Sequence, residues 1–199
     1  MDYKALAQDI VYSVVESEDS PWAEKGFFVV EFSCKASAAG VDEVDVAVDC
    51  DGATGVGIDD CSLLNREIAE QLRLVLPKAI GPAGEEDADF SLTVMSAGLG
   101  QPLKLGRQYQ KLMQRAVSGE DGSLPCVDVL FKDGRKLTGV VLCGIGYTDD
   151  AQEPSMIEVM YEVKELIPDR PKRKYHMVEK REQIVLAETK AVTEHFDFK

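Results

Sequence analysis

The chain changes character at a short segment that contains two glycines and a proline, Ser96–Leu103. Before this segment, stretches with apolar residues at helical spacing alternate with stretches in which every second residue is apolar. After it, strand-like patterns and turns predominate. Because glycine and proline interrupt regular structure, such a segment is typical of a domain boundary. We therefore predict two domains, residues 1–103 and 104–199.

The first domain shows the patterns of two helices and three strands. Apolar residues at helical spacing predict one helix around Leu6–Val15 and another around Cys61–Val75. We expect Asp59 or Asp60 to cap the second helix and Pro21 and Pro77 to end the two helices. Alternating apolar residues predict strands around 28–34, 44–50 and 90–94, the first two forming a hairpin. The order helix–strand–strand–helix–strand indicates an α/β sandwich with two helices on one face of a sheet.

The second domain is predicted to consist mainly of strands. A short helix at 107–113 precedes a hairpin whose turn is Asp133-Gly134, a sequence that favours tight turns. Further strands are expected at 136–142, at 157–163, around Ile184 and Leu186, and around Phe196 and Phe198. Several short antiparallel strands in fewer than a hundred residues predict a small β-barrel of the Sm or SH3 kind. The fold class is therefore α+β, with an α/β sandwich followed by a barrel.

The net charge of −14 is confined to the first domain. Residues 1–103 contain 6 Lys and Arg against 20 Asp and Glu, whereas residues 104–199 contain 16 of each. An acidic surface repels phosphate backbones and attracts basic partners over about 8–10 Å. A surface for a basic partner and a charge that only keeps the protein soluble are both compatible with this pattern.

The sequence lacks the motifs of the common catalytic and metal sites. The five cysteines are widely spaced with no CxxC pair, which indicates reduced thiols rather than a zinc or redox site. The segment Asp49–Gly52 lacks the glutamate that a calcium loop needs, and Gly52–Gly57 fits neither common phosphate-binding motif. Neither histidine has a nucleophile at motif spacing. We therefore expect no enzyme activity, no metal and no cofactor and, without a signal peptide or a membrane span, a cytoplasmic protein.

Basic residues form two groups in the second half of the chain. Lys104, Arg107, Lys111 and Arg115 follow the connecting segment, with Arg107 and Lys111 on one helix face. The second group lies in a loop bounded by Pro168 and Tyr175 and consists of Arg170, Lys172, Arg173 and Lys174. Either group could contact phosphates of rRNA. The alternative is that the first group is an ordinary polar helix face and the second a solvated loop, neither of which binds RNA.

The connecting segment carries a resemblance to a known family. The stretch Leu92–Lys104, LTVMSAGLGQPLK, resembles the signature of the RimP family of bacterial ribosome maturation factors, a strand that runs into Ser-[Ser/Ala]-x-Gly-[Leu/Ile]-x-x-Pro-[Leu/Phe]. Gly57–Cys61 resembles the start of the family's second helix, and Phe131–Gly139 resembles the first hairpin of its C-terminal barrel. Many members carry Asp-Arg where this chain has Gly100-Gln101, so a charged pair is missing.

The resemblance implies a non-catalytic monomer that binds the immature small ribosomal subunit and assists its late assembly. The implied partners are a basic ribosomal protein and nearby rRNA, without DNA or membrane. The alternatives are an acidic adaptor with no ribosomal role and, less favoured, an enzyme with an unrecognised carboxylate site. The candidate connector residues are Ser96, Ala97, Gly98, Leu99, Gly100, Gln101, Pro102 and Leu103. The candidate contacts to rRNA or ribosomal protein are Lys104, Arg107, Lys111, Asp133, Arg135, Arg170, Lys172, Arg173 and Lys174.

Overall fold

The computed structural model describes residues 2–37, 40–52, 55–80, 86–118, 124–148, 153–166 and 175–196. The chain forms two compact units, Met1–Gly98 and Leu99–Lys199. Both contain helices and a sheet, which confirms the α+β class. The predicted domain limits, 1–103 and 104–199, stay a prediction.

The first unit contains a three-stranded sheet and two long helices. Its elements are α1 (Tyr3–Glu16), α2 (Pro21–Glu24), β1 (Phe27–Ala36), β2 (Val41–Cys50), α3 (Ile58–Val75), β3 (Ala79–Ile80), β4 (Glu86–Asp87) and β5 (Ser91–Ser96). The predicted hairpin is confirmed, because β1 pairs antiparallel with β2. β5 pairs parallel with the other side of β2, since the chain crosses through α3 before it returns to the sheet. β3 and β4 pair with each other separately.

Side chains define where the helices of the first unit begin. The Asp2 carboxylate accepts the backbone N–H groups of Lys4 and Ala5 at the start of α1, both at 3.1 Å. The predicted cap at Asp59 or Asp60 was wrong in position, because Ile58 is already helical and Gly57 is the capping residue. Asp60 acts from the first turn instead, where its Oδ2 accepts the Gly57 N–H at 2.9 Å.

The core of the first unit lies between the helices and one face of the sheet. α1 contacts β1 and α3, and α3 contacts β5. The completely buried residues of this core are Ala7, Val11, Val15, Val44, Val46, Val48, Leu64, Ile68 and Leu72. Both helices therefore cover the face of β2 that carries its alternating valines.

The second unit is a five-stranded antiparallel sheet preceded by a helix. Its elements are α4 (Gly106–Ser118), β6 (Cys126–Phe131), β7 (Lys136–Tyr147), β8 (Pro154–Leu166), β9 (Tyr175–Val185), a 3₁₀ turn (Leu186–Glu188) and β10 (Thr189–Glu194). The strand order is β10-β6-β7-β8-β9. α4 contributes Tyr109 and Leu112 to a core that also contains Val129, Leu142 and Ile157.

In the part of the chain that the structure describes, β9 and β10 are the two ends of this sheet and no ladder joins them. No closed barrel is therefore detected, and the Sm-like barrel stays a prediction. The expected last strand around Phe196 and Phe198 was wrong, because β10 ends at Glu194; Phe198 lies outside the described residues. Only Val192 of β10 is buried, so the apolar alternation of this strand is too weak to reveal it.

Candidate binding surfaces

The sheet of the first unit has an outer face opposite its helices. Residues that face each other in register share one face of a sheet, so this face carries Glu31 and Lys35 from β1 and Thr93 and Met95 from β5. Its middle strand contributes Glu43, Asp45, Ala47 and Asp49. Glu43 forms an ion pair with Lys35, which raises the pKa of the lysine. We refer to these eight residues as the outer acidic face, since four are acidic and one is basic.

The connector is held at both ends by backbone hydrogen bonds. The Ala97 N–H donates to the Val48 carbonyl at 2.8 Å within the first unit. The Leu103 N–H donates to the Val192 carbonyl at 2.7 Å, and Pro102 forms a β-bridge with Thr193 in the second unit. Between these anchors Gly98 and Gly100 have φ angles of +73° and +75°.

These φ angles lie in the left-handed region, where side chains with a Cβ are strained. The glycines are therefore required by the backbone path of the connector. Leu99 between them is 74% exposed, so the connector presents an apolar side chain to solvent. The role of the connector in binding stays a prediction.

The first basic group surrounds the start of α4. Gln108 is buried, and its Oε1 accepts the Lys104 and Leu105 N–H groups at 2.8 and 3.1 Å. This contact fixes the chain just before the helix. Lys104 is exposed, while Arg107 and Lys111 are half-buried and one turn apart on α4.

The hairpin between β6 and β7 places Asp133 and Arg135 in its turn. Asp133 Oδ1 accepts the Arg135 N–H at 2.8 Å. The Arg135 guanidinium lies 3.7 Å from the centre of the Phe131 ring and 2.9 Å from a Glu182 carboxylate oxygen. Glu182 also accepts the Tyr161 hydroxyl at 2.6 Å. Arg135 is thus engaged within the second unit, with a partner on β9, Glu182, that the hairpin motif could not identify.

The second basic group, Arg170, Lys172, Arg173 and Lys174, lies outside the described residues. The strands that flank it are described. Leu166 pairs with Tyr175, so the ends of β8 and β9 that face this loop are adjacent. Tyr175, the first residue of β9, is 57% exposed.

A histidine–carboxylate pair was not expected from the sequence. His195 Nδ1 lies 2.8 Å from Asp128 Oδ1, and the same oxygen accepts the Gly139 N–H at 2.8 Å. The two residues are 67 positions apart and meet only because β10 pairs with β6. Gly139 has a φ of +62°, and a Cβ there would lie 3.3 Å from His195 Nε2. The arrangement joins three strands, and its geometry explains the glycine.

Within the described ranges, no group of three or more His, Cys, Asp or Glu side chains is arranged to hold a metal ion. Burial raises the pKa of the Cys34, Cys61 and Cys143 thiols above the usual value. A raised pKa disfavours the reactive thiolate. The described helices include none that is both long and apolar enough to cross a membrane.

Fold and charge together define an acidic α+β protein of two units whose candidate sites lie on its surface. Curated proteins named ribosome maturation factor RimP are similar to it. The protein of Chlorobium phaeobacteroides is 38% identical over 104 residues, which are 50% of this chain and 56% of the relative. That of Chlorobium luteolum is 38% identical over 109 residues, 54% of this chain and 57% of the relative. That of Christiangramia forsetii is 38% identical over 65 residues, 33% and 35% of the two chains.

These matches confirm the resemblance of the chain to the RimP family. The chain spans about half the length of the curated relatives it matches. No family model matches the chain. No solved structure matches it.

Proposed function

We propose that this protein is a ribosome maturation factor that binds the immature small ribosomal subunit and assists its late assembly in the cytoplasm, without catalysis. The observation that carries the proposal is the 38% identity to Chlorobium proteins named ribosome maturation factor RimP. The charge distribution supports it, because a ribosomal particle offers both basic proteins and anionic RNA to a protein with one acidic and one neutral unit.

The outer acidic face is the proposed contact for a basic ribosomal protein. It is a regular surface on which Glu31, Asp45 and Asp49 point away from the helical layer. Carboxylates spaced along strands attract lysine and arginine side chains, and this attraction increases the rate of association at low salt. A basic extended tail is the kind of partner that such a face accommodates.

The second unit is the proposed contact for rRNA. Lys104, Arg107 and Lys111 lie around the start of α4, and the basic loop follows β8. Asp133 and Arg135 complete the proposed set, at the turn of the β6–β7 hairpin. Contacts to phosphate position a protein on RNA without reading its sequence, which suits an assembly factor. The connector, with its two glycines, would then set the relative orientation of the two contacts.

Sedimentation of the tagged protein in a lysate through a sucrose gradient tests the proposal. We expect co-migration with free small subunits and not with assembled ribosomes. Glu31→Gln combined with Asp45→Asn removes two charges from the outer acidic face and should weaken this co-migration. Glu18→Gln combined with Asp19→Asn removes two exposed charges elsewhere in the same unit and serves as the control. Failure of the wild-type protein to associate even at low salt would contradict the proposal.

An acidic protein–protein adaptor with no ribosomal role is the second candidate. It is favoured by the concentration of the entire net charge of −14 in one unit, which needs no ribosome to explain it. An adaptor would remain at the top of the gradient and would bind basic proteins in a manner that depends on the outer acidic face.

A further inference from the structure

The first unit has a groove between α3 and β5 that the proposed function does not use. Its volume is about 500 Å³. The residues that line it include three apolar side chains, one amide and two guanidinium groups, from Ile58, Ala69, Val94, Asn65, Arg66 and Arg73. Part of the groove is thus basic, in a unit whose net charge is −14.

The two arginines are unusual in their placement. They are the only arginines in the first 98 residues, and both line this groove. They are seven positions apart on α3, which places them on one face about 10 Å from each other along the helix axis. The Arg73 guanidinium lies 5.9 Å from the Phe90 ring centre. Two anionic groups about 10 Å apart would therefore complement the groove.

The lining of the groove is partly apolar. Ala69 of α3 is buried, and Val94 of β5 is half-buried. Ile58 begins α3 and is 83% exposed. An exposed isoleucine beside arginines suits a protein contact, because the isoleucine gains from losing water and the arginines can pair with carboxylates of a partner.

A side chain of α3 already binds a backbone group of β5. The Asn65 Nδ2 donates to the Leu92 carbonyl at 3.0 Å. Because this contact occupies a carbonyl of the strand, a ligand would bind in the groove through its side chains rather than by adding a strand to the sheet.

We propose that the groove binds a short acidic peptide segment that carries apolar side chains between its carboxylates. The carboxylates would contact Arg66 and Arg73, and the apolar side chains would lie against Ile58, Ala69 and Val94. RNA fits less well, since it carries a charge on every nucleotide and would extend beyond Arg66 and Arg73 onto the acidic surface of the unit, whereas a short peptide can place its few carboxylates at the two arginines. This inference does not rest on the proposed ribosomal function, because neither the outer acidic face nor the basic groups take part in it.

Selection from a random 12-residue peptide library displayed on phage tests the inference on the full chain. Enriched peptides, labelled with fluorescein, are then measured by fluorescence polarisation. The test variant is Arg66→Gln with Arg73→Gln, and the control is Lys4→Gln with Lys78→Gln, which removes the same charge from the same unit. Fluorescence of Trp22, which packs in the core of this unit, checks that each variant is folded.

We expect enriched peptides to contain at least two Asp or Glu with Ile, Leu or Val between them. The arginine variant should weaken their binding about tenfold and the lysine variant less than about twofold, as for two partly exposed ion pairs. The inference is overturned if no peptide is enriched, if enriched peptides lack carboxylates, or if both variants lose affinity equally. It is also overturned if a 12-nucleotide uridine RNA binds with the same dependence on Arg66 and Arg73.

Discussion

At the scale of single residues, Asp128 does more for the second unit than its place in a strand suggests. Its Oδ1 accepts the Gly139 N–H at 2.8 Å and lies 2.8 Å from His195 Nδ1. The other carboxylate oxygen lies 3.8 Å from the Lys136 ammonium. Asp128 sits where the register between β6 and β7 shifts, so its side chain supplies hydrogen bonds that the ladder lacks there.

Replacing Asp128 with Ala should lower the free energy of unfolding of the second unit by about 1–3 kcal/mol, because two partly buried donors lose their acceptor. Hydrogen exchange of the amides of β6, β7 and β10 measures this effect. Asp133→Ala is the matched control, since Asp133 accepts one exposed backbone N–H in a turn. Equal effects of the two substitutions would contradict the role assigned to Asp128.

The Glu182 carboxylate should make the second unit sensitive to acid. The Tyr161 hydroxyl and then the Arg135 guanidinium hold the pKa of Glu182 below its ordinary value. Because the pKa is lower in the folded state, this stabilisation is complete above the ordinary pKa, about 4.5, and is lost as the pH falls through the folded value. The stability difference between wild type and Glu182→Gln should therefore be larger at pH 7 than at pH 3.5.

The difference is measured by unfolding both proteins in urea at the two pH values and monitoring the hydrogen exchange of the β9 amides. Glu179→Gln, on the same strand, is the control, because the ion pair between Glu179 and Arg181 has both side chains more than half exposed. A difference that does not depend on pH would show that Glu182 acts only through packing.

At the scale of elements, α3 combines a core face with a solvent face on which large apolar residues are exposed. Leu64, Ile68 and Leu72 are completely buried, while Ile58, Leu63, Leu74 and Val75 are exposed. The helical spacing of the buried residues made α3 predictable, as the alternation of valines did for β2. The capping residue of α3 and the exact position of the short helix α2 were not predictable, because several Asp, Ser and Gly residues near each helix start could act as the cap.

Leu72→Ala should reduce the free energy of unfolding of the first unit by about 2–5 kcal/mol, since it removes buried methyl groups and leaves a cavity. Leu74→Ala, on the same helix and 76% exposed in the native protein, should change it by less than about 0.5 kcal/mol. The single tryptophan, Trp22, is buried in this unit, so its fluorescence during urea unfolding reports on the first unit. Similar losses for both variants would mean that Leu72 is not a core residue.

At the scale of the whole molecule, charge separates the two units more clearly than any motif. The first unit carries 20 acidic side chains against 6 basic ones, and the second carries 16 of each. The net negative charge of the first unit attracts or repels a charged partner over about 8–10 Å at physiological salt. The balanced charges of the second unit act on a partner only through the individual groups that contact it. Binding to RNA should therefore depend on particular basic groups of the second unit.

Replacing Arg170, Lys172, Arg173 and Lys174 together with Ala should weaken binding to rRNA and reduce the dependence of its affinity on salt, because fewer counterions are released. Filter binding of purified protein to 16S rRNA at several salt concentrations measures the slope. Replacing Lys4, Lys25, Lys35 and Lys78 removes four positive charges from the first unit and is the control. An unchanged slope for the loop variant would remove the loop from the interface.

The sequence by itself determined the α+β class, the β1–β2 hairpin, the two long helices and the Asp133-Gly134 turn, because each is encoded by neighbouring residues through period or turn chemistry. Only the tertiary structure decided the parallel return of β5, the last strand at Thr189–Glu194 and the contacts of Arg135 with Glu182 and of Asp128 with His195. These features depend on residues 47 to 67 positions apart along the chain, or on a strand whose single buried side chain gives no pattern. Such pairings are set by packing of the whole unit, which local sequence does not specify.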